Sequence, residues 1–201
     1  FDQGRVFLYE SGNDADLIIF WTRIPILLVS LLLGWLLFLW TRARYGSRTA
    51  LLALVLYAFS PTVLTHSRYV TTDTAASLGF FLGLIVFLRF LEKPTARIIL
   101  LAGLAFGTAQ LLKFSLIMLI PIYCILLVAW VYTRPNLQTR ERFGLLGNLV
   151  VKTILIGVVG MVLVWAIYVP FVWNYPKERQ LADAASLLST NNARLLVAFD
   201  L

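Results

Sequence analysis

Cysteine, histidine and charge are all scarce in this chain. Its 201 residues include one cysteine (Cys124), one histidine (His66) and only 13% charged residues. A single cysteine excludes an internal disulfide and says nothing about the cellular compartment. One histidine without a cysteine cluster does not supply the ligands of a closed zinc site, so we predict no tightly bound metal.

Long apolar runs occupy most of the chain. Hydrophobic residues make up 60% of it and the mean hydropathy is +0.86, whereas soluble domains are about half apolar and a quarter charged. A membrane-spanning helix needs roughly 20 apolar residues at 1.5 Å per residue. The runs therefore predict an all-α polytopic membrane protein with about six transmembrane helices. The predicted spans are approximately 17–40, 49–64, 74–91, 98–112, 114–132 and 149–173.

Three of these spans contain a proline residue. Pro61, Pro121 and Pro170 are expected to bend or locally unwind the helices that contain them.

The distribution of basic residues predicts the orientation. A net charge of +7 can indicate nucleic-acid binding, but here the bases lie in short loops between apolar runs, and we predict no nucleic-acid partner. One set of loops is rich in bases and contains only Glu92 and Glu141 as acids. Its bases are Arg42, Arg44, Arg48, Arg89, Lys93, Arg97, Arg134, Arg140, Arg142 and Lys152. The positive-inside rule places this set in the cytoplasm and the other loops, with His66, Asp73 and Lys113, outside.

This orientation divides the chain into three parts. Residues 1–16 are predicted to end one extracytoplasmic loop, residues 17–173 to form the transmembrane module, and residues 174–201 to begin another extracytoplasmic segment. The chain starts at Phe1 without an initiator methionine or a signal-like segment, which predicts a fragment of a longer protein.

A polar stretch at residues 66–73 separates two apolar runs and carries His66, Arg68 and Asp73. Ionisable groups at a membrane face favour a functional interpretation. The structural alternatives are an interfacial histidine for His66 and a helix cap or first-turn acid for Asp73.

Cations accompany this acid on the predicted outer face. Arg23 opens the first span, and Lys113 interrupts an apolar stretch long enough for two spans. Either side chain can simply extend to the headgroup level. Alternatively, Arg23, Arg68 and Lys113 together bind a phosphate, with Asp73 as a nearby carboxylate. Transfer of a group from a lipid phosphate requires that combination of an anion binder and an acid.

Several short segments occur in a characteristic order along the chain, at residues 7–14, 23–25, 45–46, 57–61, 66–73, 103–107 and 113–115. In their order and spacing they resemble a bacterial branch of the dolichyl-phosphate-mannose protein mannosyltransferase-like family, within glycosyltransferase superfamily C (GT-C). The resemblance covers about the first 130 residues, and the family's first helix and most of its first outer loop are expected upstream of Phe1.

The resemblance implies a multi-pass enzyme of the bacterial inner membrane whose active site faces outside. It implies transfer of a sugar from a polyprenyl-phosphate donor to a protein, glycan or lipid acceptor, by an inverting single displacement. By position, Asp73 matches the family's second outer-loop acid and is expected to be catalytic. Arg23 matches the arginine that opens the second helix and Lys113 the lysine of a later outer turn, and both are expected to bind substrate. His66 and Arg68 belong to the same loop motif as Asp73 and are expected to bind substrate.

The resemblance has two further implications. The family's principal catalytic acid is expected upstream of Phe1, so the fragment is expected to be inactive alone, and divalent-metal use varies within the family. The alternatives are a transporter or flippase for a lipid-linked sugar, without catalysis, and a structural membrane subunit.

Overall fold

The computed structural model describes residues 2–134, 138–176, 178–183 and 185, and within them every regular element is helical. The α-helices are α1 (Asp2–Arg5), α2 (Ala15–Tyr45), α3 (Ser47–Ala58), α4 (Pro61–His66), α5 (Asp73–Glu92), α6 (Ala96–Leu112), α7 (Leu119–Tyr132) and α8 (Thr139–Val172). A π-helical turn at Val6–Glu10 follows α1, and a 3₁₀ turn at Phe114–Met118 precedes α7. The all-α class predicted from the apolar runs is confirmed.

Four helical segments are long and apolar enough to cross a membrane, namely Ala15–Tyr45, Asp73–Glu92, Phe114–Tyr132 and Thr139–Val172. Two further apolar helices, Ser47–Ala58 and Ala96–Leu112, are shorter. The six predicted spans therefore correspond to four full-length segments and two short ones. Residues 186–201, which belong to the predicted C-terminal extracytoplasmic segment, lie outside the described residues.

The predicted span 49–64 is divided in two by Pro61. Helix α3 ends at Ala58, and Ser60 adopts an extended conformation with φ −65° and ψ 122° before α4 begins at Pro61. A residue before proline is pushed out of the helical region by the pyrrolidine ring. The interruption expected at Pro61 is confirmed. Pro121 instead lies in the first turn of α7, and Pro170 lies within α8, which continues to Val172.

Helices α2 and α3 pack against each other in opposite directions, with Ser30 and Gly34 of α2 beside Tyr57 of α3. The reversal between α2 and α3 is made at Gly46, whose φ of +85° is accessible to glycine at little cost, and whose N–H donates to the Arg42 carbonyl. At the same end, Arg44 forms a 2.7 Å ion pair with Glu92 and thereby links the last turns of α2 and α5. The starts of α2 and α5 consequently share the opposite end with the last residues of α4 and α6.

The core lies between α5, α6, α7 and α8. Tyr123 of α7 stacks on Phe87 of α5 with ring centroids 3.8 Å apart, and its hydroxyl donates to the Gly83 carbonyl at 3.0 Å. The backbones of helices α6 and α8 approach each other closely at Gly107 and Gly160. Small residues allow such an approach, which favours helix association inside a membrane. This packing sets the positions of the α5 start and the α6 end.

Candidate functional site

An ion pair joins the beginning of α5 to the end of α6. The Lys113 ammonium donates to Asp73 Oδ1 at 2.6 Å, although the two residues are 40 positions apart in the sequence. Lys113 caps α6 in an extended conformation, with φ −160° and ψ 125°, which turns the chain out of the helix at this point. Both side chains are about two-fifths exposed, at 38% and 42%, so the pair is open to a ligand.

Asp73 is the first residue of α5, and Thr72 holds the N-cap position. Its carboxylate hydrogen-bonds to Lys113 rather than serving as the cap itself. An acid in the first helical turn is also favoured by the helix dipole. The first-turn interpretation of Asp73 therefore coexists with its place in an ion pair.

His66 completes this group at the end of α4. Its carbonyl accepts a hydrogen bond from Thr74 Oγ1 at 3.1 Å, which ties the end of α4 to the first turn of α5. Its Nδ1 lies 3.4 Å from Asp73 Oδ2, beyond good hydrogen-bond length, and has no hydrogen-bond partner among the described residues. Each carboxylate oxygen of Asp73 thus faces one basic side chain.

A cavity of about 510 Å³ opens beside Asp73 and Lys113. Its polar residues also include Ser77 and Ser115, and the rest of its wall is apolar apart from a tyrosine hydroxyl. The remaining lining residues are Leu33, Leu37, Tyr57, Ala76, Phe80, Phe81 and Leu116. We call it the Asp73–Lys113 cavity.

Tyr57 was not among the site residues expected from the sequence. It lies in α3, and its hydroxyl donates to the Ser30 carbonyl of α2 at 2.8 Å, which holds the ring against the cavity. The sequence did contain a signal for Tyr57, because it is a tyrosine inside an otherwise apolar helix and a buried tyrosine hydroxyl usually needs a hydrogen-bond partner. Ser77 and Ser115 were also missed, and serine is too common for its presence alone to indicate a site.

Arg23 and Arg68 lie in a different place. They line a second cavity of about 300 Å³ together with Leu64, Thr65 and Tyr69. The sequence interpretation grouped both arginines with Lys113 around one phosphate. The structure instead brings Lys113 to Asp73 and His66 and brings Arg23 to Arg68, in two cavities without a shared lining residue.

A metal ion has few candidate ligands here. No group of three or more histidine, cysteine, aspartate or glutamate side chains converges within the described part of the chain. Asp73, the carboxylate of the site, is already paired with Lys113. The described residues therefore do not form a binding site for a divalent metal ion, whose use varies among members of the resembled family.

A comparison with known protein families shows to which family this chain belongs. The family model for dolichyl-phosphate-mannose-protein mannosyltransferase matches residues 18–152, which is more than half of the chain. The chain belongs to this family. The resemblance inferred from the short segments is thereby confirmed. No significant match to a curated protein or to a solved structure was found.

This mannosyltransferase-family chain combines the family match with apolar helices long enough to cross a bilayer. It is therefore a multi-pass membrane glycosyltransferase of the GT-C type, and its family implies a lipid-linked sugar donor. The matched region includes all five site residues expected from the sequence, Arg23, His66, Arg68, Asp73 and Lys113.

Proposed function

We propose that the protein transfers a sugar from a polyprenyl-phosphate carrier to an acceptor at the extracytoplasmic face, by an inverting single displacement around the Asp73–Lys113 cavity. The observation that carries this proposal is the Asp73–Lys113 ion pair at the polar mouth of an otherwise largely apolar cavity. Ligand pockets of this kind use apolar walls for affinity and a few polar groups for orientation.

The sugar donor has an apolar part and an anionic part, and each matches one part of this cavity. The isoprenoid chain is apolar and suits the wall formed by residues such as Leu33, Leu37 and Phe80. The phosphate is anionic and suits Lys113, whose ammonium has three donors and a flexible stem. When the sugar donor binds, its phosphate competes with the Asp73 carboxylate for Lys113, because both anions accept hydrogen bonds from the same ammonium group.

The proposed reaction is one displacement. The acceptor oxygen or nitrogen attacks the anomeric carbon, and the bond from that carbon to the phosphate oxygen breaks as the lipid phosphate leaves with the electron pair. Lys113 stabilises the negative charge that develops on the leaving phosphate, an electrostatic effect that is often the largest contribution to catalysis. Asp73 accepts or orients the acceptor proton, a role worth on the order of 10²–10⁴-fold in rate.

His66 supports Asp73 in this proposal. Its Nδ1 lies 3.4 Å from the carboxylate oxygen that does not contact Lys113, so a small movement forms a hydrogen bond. This contact orients Asp73 once Lys113 has shifted to the phosphate.

The side of the membrane is part of the proposal. Asp73 and Lys113 lie at the end of the bundle opposite Arg44 and Glu92, and the latter end carries the excess of bases. The positive-inside rule therefore supports an extracytoplasmic site.

The test uses Asp73→Asn and Lys113→Gln in the full-length enzyme, with transfer from a labelled polyprenyl-phosphate sugar as the readout. Asp73→Asn should lower kcat by on the order of 10²–10⁴-fold. Lys113→Gln should raise the donor KM by roughly 10- to 100-fold, since it removes a charge-assisted contact. It should also lower kcat, because the charge that develops on the leaving phosphate loses its stabilising ammonium group. Glu92→Gln is the matched control, because it breaks a 2.7 Å ion pair of similar exposure at the other end of the bundle.

Transfer at the wild-type rate by Asp73→Asn, or an equal loss in Glu92→Gln, would refute the assignment. The transporter or flippase alternative predicts a different result. In that case the wild-type protein moves the lipid-linked sugar across the bilayer but forms no glycosylated product.

A further inference from the structure

The cavity lined by Arg23 and Arg68 is separate from the Asp73–Lys113 cavity. Arg23 comes from the third turn of α2, and Arg68 follows the end of α4. The wall between them is completed by Leu64, Thr65 and Tyr69. No residue of this wall lines the Asp73–Lys113 cavity.

The charge in this second cavity is unbalanced. Among the described residues, neither Arg23 nor Arg68 has a carboxylate within ion-pair distance, whereas Arg44 is neutralised by Glu92. Asp73, the acid at this end of α5, is taken by Lys113 and His66. Two like charges facing one small space repel each other, and an anion between them removes that cost.

The other groups in the cavity specify the anion further. Thr65 and Tyr69 bring hydroxyls that can donate hydrogen bonds, and Leu64 and the Tyr69 ring bring apolar surface. A guanidinium group presents a planar fork of donors that matches two oxygens of a phosphate. Apolar surface beside such a fork suits the carbon skeleton attached to a phosphate ester.

We propose that Arg23 and Arg68 jointly bind the phosphate group of a second molecule, distinct from the sugar donor. The site lies at the same end of the bundle as the Asp73–Lys113 cavity, so the protein holds two phosphate-bearing ligands side by side. The inference rests on the Arg23–Arg68 cavity itself and does not require that transfer occurs at Asp73.

The experiment measures binding of a short-chain phosphatidylglycerol to the purified full-length protein in a zwitterionic detergent. The variants are Arg23→Gln, Arg68→Gln and the double variant. Each single change should weaken binding by roughly 10- to 100-fold, because each removes charge-assisted hydrogen bonds. Arg48→Gln is the matched control, an exposed arginine at the opposite end with the same loss of charge.

The double variant distinguishes a shared site from two separate anchors. Residues that hold one ligand together are energetically coupled, so the combined loss should differ clearly from the product of the two single losses. A combined loss equal to that product would mean two independent side chains at the headgroup level, and it would overturn the proposal. Unchanged affinity in both single variants, or an equal loss in Arg48→Gln, would overturn it as well.

Two further measurements identify the ligand and distinguish this proposal from the proposed transfer function. If inorganic phosphate displaces the lipid probe at a similar concentration, the phosphate alone is recognised; if it does not, the lipid headgroup with its carbon skeleton is recognised, and either result supports the site. Probe binding should also persist in Lys113→Gln. Its loss there would place the probe in the Asp73–Lys113 cavity and refute a separate phosphate site, whatever the transfer assay shows.

Discussion

The contact between α6 and α8 offers a sharp test of the packing that positions the site. A Cβ atom added at Gly107 would lie 2.7 Å from the Gly160 carbonyl oxygen and 2.9 Å from Gly160 Cα. Both are backbone atoms, so neither can rotate away as the tip of a side chain can. Gly107→Ala therefore requires the two helices to separate.

The size of the effect follows from two opposing contributions. Overpacking a well-packed interface costs about 1–3 kcal/mol. Replacing a glycine inside a helix by alanine returns about 0.5–1 kcal/mol through the reduced backbone entropy of the unfolded chain. The free energy of unfolding should therefore fall by up to about 2.5 kcal/mol, which lowers Tm by up to about 10 °C for a protein of this size.

The assay is thermal unfolding of the purified protein in one detergent, compared with Gly157→Ala. Gly157 is also inside α8, but a Cβ atom there would meet nothing within 4 Å. Gly157→Ala gains the higher helix propensity of alanine without a steric clash, so its Tm should stay the same or rise. Equal Tm values for the two variants would refute the close approach of α6 and α8.

Two other predictions test the orientation and the wall of the proposed donor cavity. In a Cys124→Ala background, a cysteine at exposed Val70 should react with an impermeant thiol reagent from outside and a cysteine at Ser47 should not, and the reverse pattern would place the site in the cytoplasm. Tyr57→Phe should lower the free energy of unfolding by about 0.5–1.5 kcal/mol, because it removes the bond to the Ser30 carbonyl. Since the ring remains, donor KM should change little in that variant, and a large KM increase would instead assign the hydroxyl to the donor.

The class and the family of this protein were accessible from the sequence because both depend on local properties. Apolar runs, short basic loops and the order of a few motifs need no knowledge of which helix contacts which. The interruption at Pro61 is local too, since the proline ring acts on the residue directly before it. Helix ends were less accessible: α8 begins at Thr139, ten residues before the predicted span 149–173, although α6 (Ala96–Leu112) closely matches the predicted span 98–112.

The grouping of the charged residues was decided by tertiary structure. Asp73 and Lys113 meet across 40 residues because α5 and α6 are antiparallel and tightly packed, and no sequence pattern encodes that distance. The same packing assigns Arg23 and Arg68 to another cavity, although all these cations appeared equivalent on one predicted face. The alternation of apolar runs and polar loops was enough to predict which ionisable groups lie at this end of the bundle. Only the packing of the helices determined which of them lie beside each other, since an ion pair needs its atoms within about 4 Å and the chain places these groups tens of residues apart.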